Sequence, residues 1–154
     1  MTMFSISRMA ILILALAATG CATMSRPSQY GNYLKDQPIS VDQLIANDAL
    51  KQLAMLYPPA KTRLTLKQPT PDVFGSELVN GLREAGYAIQ EYSPKAQHEP
   101  DATDAGLPLM YVLDQAKDDH LYRLTLQIGG QAINRPYRQE NGTVVPAGYW
   151  ARKE

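Results

Sequence analysis

The chain has 154 residues, and its 15 lysines and arginines balance its 15 aspartates and glutamates. Because there is no basic surplus to neutralise phosphates, the composition gives no support to a nucleic-acid-binding role. Eleven prolines divide the chain into short elements, and nine of its aromatic residues are tyrosines, which suit half-wet surfaces and interfaces.

Residues 1–20 have the pattern of an export signal. Arg8 supplies a positive charge, residues 9–18 form an unbroken apolar run, and Thr19 and Gly20 are small. The run is too short to span a membrane, which takes about 20 apolar residues. Ala18-Thr19-Gly20-Cys21 resembles the bacterial lipobox, although leucine is commoner at the position of Ala18. The alternative is an ordinary signal peptide followed by a buried free cysteine.

The lipobox resemblance implies that Cys21 is the lipid attachment site. In such signals the thiol receives a diacylglyceryl group, the peptide is cut before the cysteine, and the new amino group is acylated. Several acyl chains give stable membrane anchoring, whereas a single chain anchors only reversibly. Ala22 is not the aspartate that usually retains lipoproteins at the inner membrane, so the resemblance implies an outer-membrane anchor with the body in the periplasm. With Cys21 acylated, no disulfide or thiolate metal site can form.

The segment 21–38 is polar and predicts a flexible tether between the lipid and the domain. Ser40 and Gln43 match a capping box, and the apolar residues that follow recur at helical spacing. These residues are Val41, Leu44, Ile45, Leu53 and Leu56. Two prolines after Tyr57 end the pattern, so the sequence predicts a helix over 41–56.

A strand, a helix and a second strand are predicted next. Residues 62–68 alternate between apolar and polar, which indicates a half-buried strand with Leu64 and Leu66 inward. Thr70 is the predicted N-cap of a helix over 72–85, and Gly86 supplies its left-handed stop. Residues 87–92 then form the second strand.

The rest of the chain predicts a loop and an antiparallel meander. Residues 93–107 hold two prolines and three acidic residues without an apolar period, which predicts a mobile loop. Strands follow at 109–115, 121–128, 131–139 and 143–151, separated by turns at 117–119, 129–130 and Asn141-Gly142. Pro136 marks an edge or a bulge in the third of these strands.

This order predicts an α+β fold, a two-layer sandwich in which two helices cover one face of a sheet of five or six strands. The domain spans residues 39–154 and combines a strand–helix–strand core with the meander. Small ring-building periplasmic domains of secretion machines have a related core, which bears on the fold and not on function.

Catalytic signatures are weak, and we expect no enzymatic activity, no cofactor, no metal and no small-molecule substrate. Asp118, Asp119 and His120 could form an acid–base or metal group, but they lie at a predicted hairpin tip where charges are solvated. His98 lies in the predicted loop without a nearby partner. The sequence has no nucleophile elbow, zincin helix or phosphate loop.

The last hairpin is rich in the residue types that dominate interface hot spots. The candidate interface residues are Arg135, Tyr137, Arg138, Tyr149, Trp150 and Arg152. The alternative is that Tyr149 and Trp150 close the edge of the core.

Three stretches together resemble the TrbH family of conjugal transfer proteins. They are "GCATMS", the block from "LAMLYPPAKTRLTLKQ" to "GYAIQEY", and the tail "RPYRQ…VVPAGYWARKE". The resemblance implies a plasmid-encoded outer-membrane lipoprotein of the conjugative type IV secretion apparatus that forms mating pairs, with protein subunits of a secretion core complex as partners and no direct contact with nucleic acid. It attributes no catalytic residue to the chain. A stand-alone envelope lipoprotein in surface exclusion or envelope maintenance is the alternative.

Overall fold

The computed structural model describes residues 29–94, 106–116 and 120–153. These residues form two helices, a short 3-10 helix at Pro59–Lys61 and eight strands. The helices are α1 (Ile39–Leu56) and α2 (Val73–Glu84). The strands are β1 (Gly31–Asn32), β2 (Arg63–Leu66), β3 (Ala88–Gln90), β4 (Leu107–Gln115), β5 (Leu121–Ile128), β6 (Gln131–Glu140), β7 (Thr143–Pro146) and β8 (Ala151–Lys153).

All eight strands belong to one mixed sheet. Its main order is β3-β2-β4-β5-β6-β7, with β1 paired to β4 and β8 paired to β6. The pairs β1–β4, β2–β3 and β2–β4 are parallel, whereas β4 to β7 form an antiparallel meander. The predicted α+β architecture is therefore confirmed. The sheet is six strands wide, within the five or six predicted, and the two further strands share an edge with a longer neighbour: β1 lies beside β2 along β4, and β8 lies beside β7 along β6.

Both helices cover the same face of the sheet. The inward residues of β5 are Tyr122, Leu124, Leu126 and Ile128, as predicted, and all four are buried. They share one core with the apolar residues of both helices. The helices approach each other closely at Gly81, where an added Cβ would lie 2.2 Å from a methyl group of Leu50. Burial of this common face is the main force that holds the two layers together.

Helix α1 begins two residues before its predicted start. Its N-cap is Pro38, and no side chain caps it. The predicted capping box is wrong because Ser40 already lies inside the first turn and the Gln43 amide donates instead to Glu77, at 3.2 Å. Leu44 and Leu56 were predicted on the apolar stripe, but both are exposed.

The β2–α2–β3 unit follows the prediction with shorter strands. The α2 N-cap is Asp72 and not Thr70, and its carboxylate accepts a hydrogen bond from the backbone N–H of Gly75 at 2.9 Å. Gly86 has the predicted left-handed conformation, with φ 88°. Because β2 is buried on both faces, Thr65 is buried between Leu64 and Leu66 instead of pointing to solvent.

The meander explains how a proline is accommodated inside β6. Pro136 lies opposite Arg123 of β5, and its carbonyl accepts the N–H of Ala147 on the other side at 2.9 Å. Position 136 therefore faces the gap between β7 and β8, where no strand would accept a hydrogen bond from a backbone N–H. The predicted strand over 143–151 is interrupted at this gap. The Asn141-Gly142 turn is confirmed, with φ 50° and 76°.

Part of the segment predicted as a flexible tether is paired with the sheet. Gly31 and Asn32 pair with Val112 and Leu113 of β4, and the N–H of Tyr33 donates to the Leu113 carbonyl at 2.7 Å. The predicted signal peptide 1–20, Cys21 and most of the loop predicted over 93–107 lie outside the described residues, as do Asp118 and Asp119.

Candidate interaction surface

The six candidate interface residues do not form one patch. Arg135 and Tyr137 lie on the helix-facing side of β6, and Arg138 lies on its opposite side. Tyr149 and Trp150 belong to the segment between β7 and β8, and Arg152 lies in β8. The structure therefore divides the candidates into a cluster engaged within the domain and residues exposed to solvent.

The engaged cluster is built around Asp48 of α1. Its carboxylate accepts two hydrogen bonds from the Arg135 guanidinium, both at 2.9 Å, and one from the Tyr137 hydroxyl at 2.7 Å. The side chains of Arg135 and Asp48 are 19% and 24% exposed, and Tyr137 is 1% exposed. These bonds join the first helix to the middle of β6, and Tyr137 cannot contact a partner in this arrangement.

Arg135 also fixes the segment between β7 and β8. Its Nε donates to the Gly148 carbonyl at 2.9 Å, and its guanidinium lies over the Trp150 ring at 5.9 Å from the ring centre, within cation–π range. Trp150 is partly buried against the core. Tyr149, between these two anchored residues, is 93% exposed. Trp150 thus closes the edge of the core, and Tyr149 does not.

Burial and charge decide the protonation of Tyr137. Burial raises the pKa of its hydroxyl, and the hydrogen bond to Asp48 and the charge of that carboxylate raise it further, against a smaller opposite effect of Arg135. The hydroxyl therefore stays protonated and acts as a donor. In the cluster it stabilises the Asp48 carboxylate by donating a hydrogen bond to it.

Arg138 points to the uncovered face of the sheet. It pairs with Glu140, two residues along the same strand, and both side chains are about half exposed. Such an exposed ion pair contributes little to stability. Arg138 is accessible to a partner, but on a different surface from Tyr149 and Arg152.

Arg152 lies at the end of the molecule where β5 turns into β6. Its guanidinium donates to the side-chain carbonyl of Gln131, which also accepts the Tyr57 hydroxyl at 3.2 Å. An open depression surrounds this group, and we call it the turn-end pocket. It is lined by Tyr57, Leu107, Ile128, Gly130, Gln131 and Arg152.

A second polar group lies at the opposite end and holds the N-terminal strand. Asp42, in the first turn of α1, accepts hydrogen bonds from the side-chain amides of Asn32 at 3.0 Å and Gln37 at 2.9 Å. Asp42 is 3% exposed. Its burial raises its pKa, the two amide bonds oppose that rise, and the nearby Asp72 adds to it. We call residues 31–38, with this clamp, the strap.

Three side chains that join distant parts of the fold were not identified from the sequence. Asp48 and Asp42 look like ordinary polar positions of an amphipathic helix, and their partners are distant in sequence. Gln68, buried beside β4, accepts the backbone N–H of Tyr111 at 2.8 Å and so occupies the gap between β2 and β1.

The described residues give no support to the acid–base or metal group considered at residues 118–120. Across residues 29–94, 106–116 and 120–153, no group of three or more histidine, cysteine or acidic side chains is placed to hold a metal. His120 lies just before β5, but Asp118 and Asp119 are outside the described residues. None of the described helices is long and apolar enough to cross a bilayer.

Comparison with known proteins gives one match. A family model described as conjugal transfer protein TrbH matches residues 27–154. The match includes the strap, both helices, the whole sheet and the tail that carries Tyr149 and Arg152. No curated protein and no solved structure matches the chain.

Proposed function

The chain belongs to the TrbH family of conjugal transfer proteins, and from this premise we propose that it is a non-catalytic structural subunit of a conjugative type IV secretion apparatus. In this proposal a lipid on Cys21 anchors the protein in the outer membrane, with its domain in the periplasm. The family match over residues 27–154 is the observation that carries the proposal, since it makes the chain a component of conjugal transfer.

The geometry of the strap supports an anchor at the N-terminal side. Between Cys21 and Gly31 the chain has nine residues, 22–30. At Gly31 it joins the central strand β4, and the Asp42 clamp ties the following residues to α1. A pull on the lipid would therefore reach the middle of the sheet through backbone pairing and not through a free loop.

The Asp48 cluster supports a rigid building block. It ties α1, β6 and the segment before β8 with four hydrogen bonds and a cation–π contact. Rigid elements suit a subunit whose task is to hold partners at fixed positions, because less ordering entropy is lost when such a subunit binds.

An in-frame deletion in donor cells tests the proposed role. We expect the deletion to abolish mating and the wild-type gene to restore it, and a pull-down in mild detergent to recover subunits of the secretion core complex. A deletion strain that donates at the wild-type frequency would contradict the proposal and favour the stand-alone envelope lipoprotein.

A Cys21→Ser variant tests the anchor separately. We expect the variant to lose its lipid mass and to fractionate as soluble or unprocessed protein. If the variant remained in the outer membrane, the lipid anchor would be wrong even if the role in transfer stood.

A further inference from the structure

We propose that the turn-end pocket docks an extended segment of a partner protein in which an acidic side chain lies beside an apolar one. This inference rests on the proposed function in two respects, namely that the N-terminus is anchored at a membrane and that the partners are protein subunits of the transfer apparatus. It adds where the partner binds, and what chemistry the partner presents.

The pocket lies at the opposite end of the domain from the strap. The strap joins β4 at Val112 and Leu113, whereas the pocket begins at Leu107 of the same strand, roughly 20 Å away at the rise of a β-strand. Helix α1 runs the same way, from Asp42 at the strap to Leu56 beside the pocket. With the N-terminus held at a membrane, the pocket faces away from that membrane and toward other proteins.

Arg152 gives the pocket its preference for an acidic group. Four other described arginines each pair with a carboxylate: Arg83 with Glu91, Arg123 with Asp114, Arg135 with Asp48, and Arg138 with Glu140. Within the described chain, Arg152 donates instead to the uncharged amide of Gln131. Its remaining donors have the fork geometry that binds a carboxylate.

The surrounding charge favours the same partner. The described positive side chains at this end of the sheet and of α1 are Lys61, Arg63, Arg152 and Lys153. Glu84 ends α2 and lies near these residues. Its position follows from Tyr87, three residues later, which donates a hydrogen bond to the carbonyl of Tyr57 in the pocket wall. Among the described side chains at this end, positive charges therefore outnumber negative ones, which favours the approach of an acidic segment over a basic one.

Exposed apolar groups supply the second half of the recognition. Leu107 in the pocket wall is 38% exposed, and Met55 and Leu56 at the end of α1 are 71% and 38% exposed. Gly130 leaves the centre open, because an added Cβ there would meet no atom within 4 Å. A partner backbone can thus approach closely with its apolar side chain on Leu107 and its carboxylate on Arg152.

Fluorescence anisotropy of two labelled peptides tests the inference directly. One short peptide alternates leucine with aspartate, and the other alternates leucine with lysine. We expect saturable binding of the aspartate peptide, weaker at high salt, and about a tenfold or larger loss in Arg152→Glu and in Gly130→Trp. Arg138→Glu is the matched control, because it reverses the charge of an exposed arginine on the other face, and it should bind as wild type does.

Equal binding of both peptides, or wild-type binding by the two pocket variants, would overturn the inference. Circular dichroism melting should show that Gly130→Trp folds normally, since a Cβ at this position meets no atom within 4 Å and the site is on an open surface. Mating separates this inference from the proposed function. If the deletion abolishes mating but Gly130→Trp and Arg152→Glu donors mate as wild type does, the docking site is wrong and the structural role stands.

Discussion

The Asp48 cluster and the turn-end pocket use the same kinds of residue for different purposes. In the cluster, Arg135 and Tyr137 are satisfied by a carboxylate of the same chain and are largely withdrawn from solvent. In the pocket, the described side-chain hydrogen bonds of Arg152 and Tyr57 both go to the amide of Gln131, and the surface stays open. Whether an arginine or a tyrosine belongs to an interface can therefore be judged only after its contacts within the fold are known.

The largest expected difference between the two regions is in stability. Asp48→Ala leaves Arg135 and the Tyr137 hydroxyl without their common acceptor. We expect it to lower the free energy of unfolding by about 2–3 kcal/mol, somewhat below the cost of breaking a fully buried ion pair. Urea unfolding of purified protein lacking residues 1–20 measures this loss.

The matched control for Asp48→Ala is Asp114→Ala, which breaks the pair with Arg123, whose side chain is 53% exposed. That variant should lose less than about 1 kcal/mol. Equal losses in the two variants would show that the Asp48 cluster is no more than a surface ion pair.

Removal of one hydroxyl should have a smaller effect. Tyr137→Phe keeps the ring in the core and the Arg135–Asp48 pair, but it deletes the 2.7 Å hydrogen bond to Asp48. We expect a loss of about 1–2 kcal/mol, as for a buried hydrogen bond to a charged group. Thermal melting of Tyr137→Phe beside Tyr122→Phe, whose hydroxyl bond to Gln139 is 3.3 Å long, checks whether the Asp48 contact is the stronger one.

The strap should show a distinct dependence on pH. Burial raises the pKa of Asp42 in the folded state above its ordinary value of 3.8. The folded state therefore binds this proton more tightly than the unfolded state does, so the contribution of Asp42 to stability is greatest at low pH and declines as the pH rises through the folded-state pKa. Relative to Asp42→Asn, the wild type should become more stable as the pH falls from neutrality toward 3.8. Urea unfolding across this range measures the gap, and a gap that moves the other way would contradict the assigned shift.

The smallest effect on stability is expected at the exposed residue Tyr149. Tyr149 is 93% exposed, so Tyr149→Ala should change the free energy of unfolding by less than about 0.5 kcal/mol. Trp150→Ala, next to it, should cost about 3 kcal/mol or somewhat less, because it removes a large, partly buried ring that packs against the core and lies under Arg135. Similar losses at the two positions would mean that the segment between β7 and β8 is not anchored as described.

Local patterns predicted most of the fold. The strict alternation of residues 121–128 gave β5 with its boundaries, and Asn141-Gly142 gave the hairpin because few other residue pairs adopt two left-handed conformations. The apolar spacing of residues 74–82 gave α2, although the capping residue was placed two positions too early.

What the sequence could not predict depends on contacts between distant residues. The pairing of Gly31–Asn32 with β4 has no local signal, since two polar or small residues look like a linker. Asp48 and Arg135 are 87 positions apart, so nothing in either neighbourhood indicated that one would neutralise the other. For the same reason the tail residues could be recognised as suited to an interface but not sorted into engaged and exposed ones.

The most direct test of this division of roles is the mating frequency of donors that carry Arg152→Glu at the wild-type protein level. We predict a melting temperature close to that of the wild type together with mating reduced about tenfold or more, because the substitution reverses the charge of a docking surface and removes only an exposed hydrogen bond to Gln131. Wild-type mating by this donor, or a loss of mating explained by a lowered melting temperature, would contradict it.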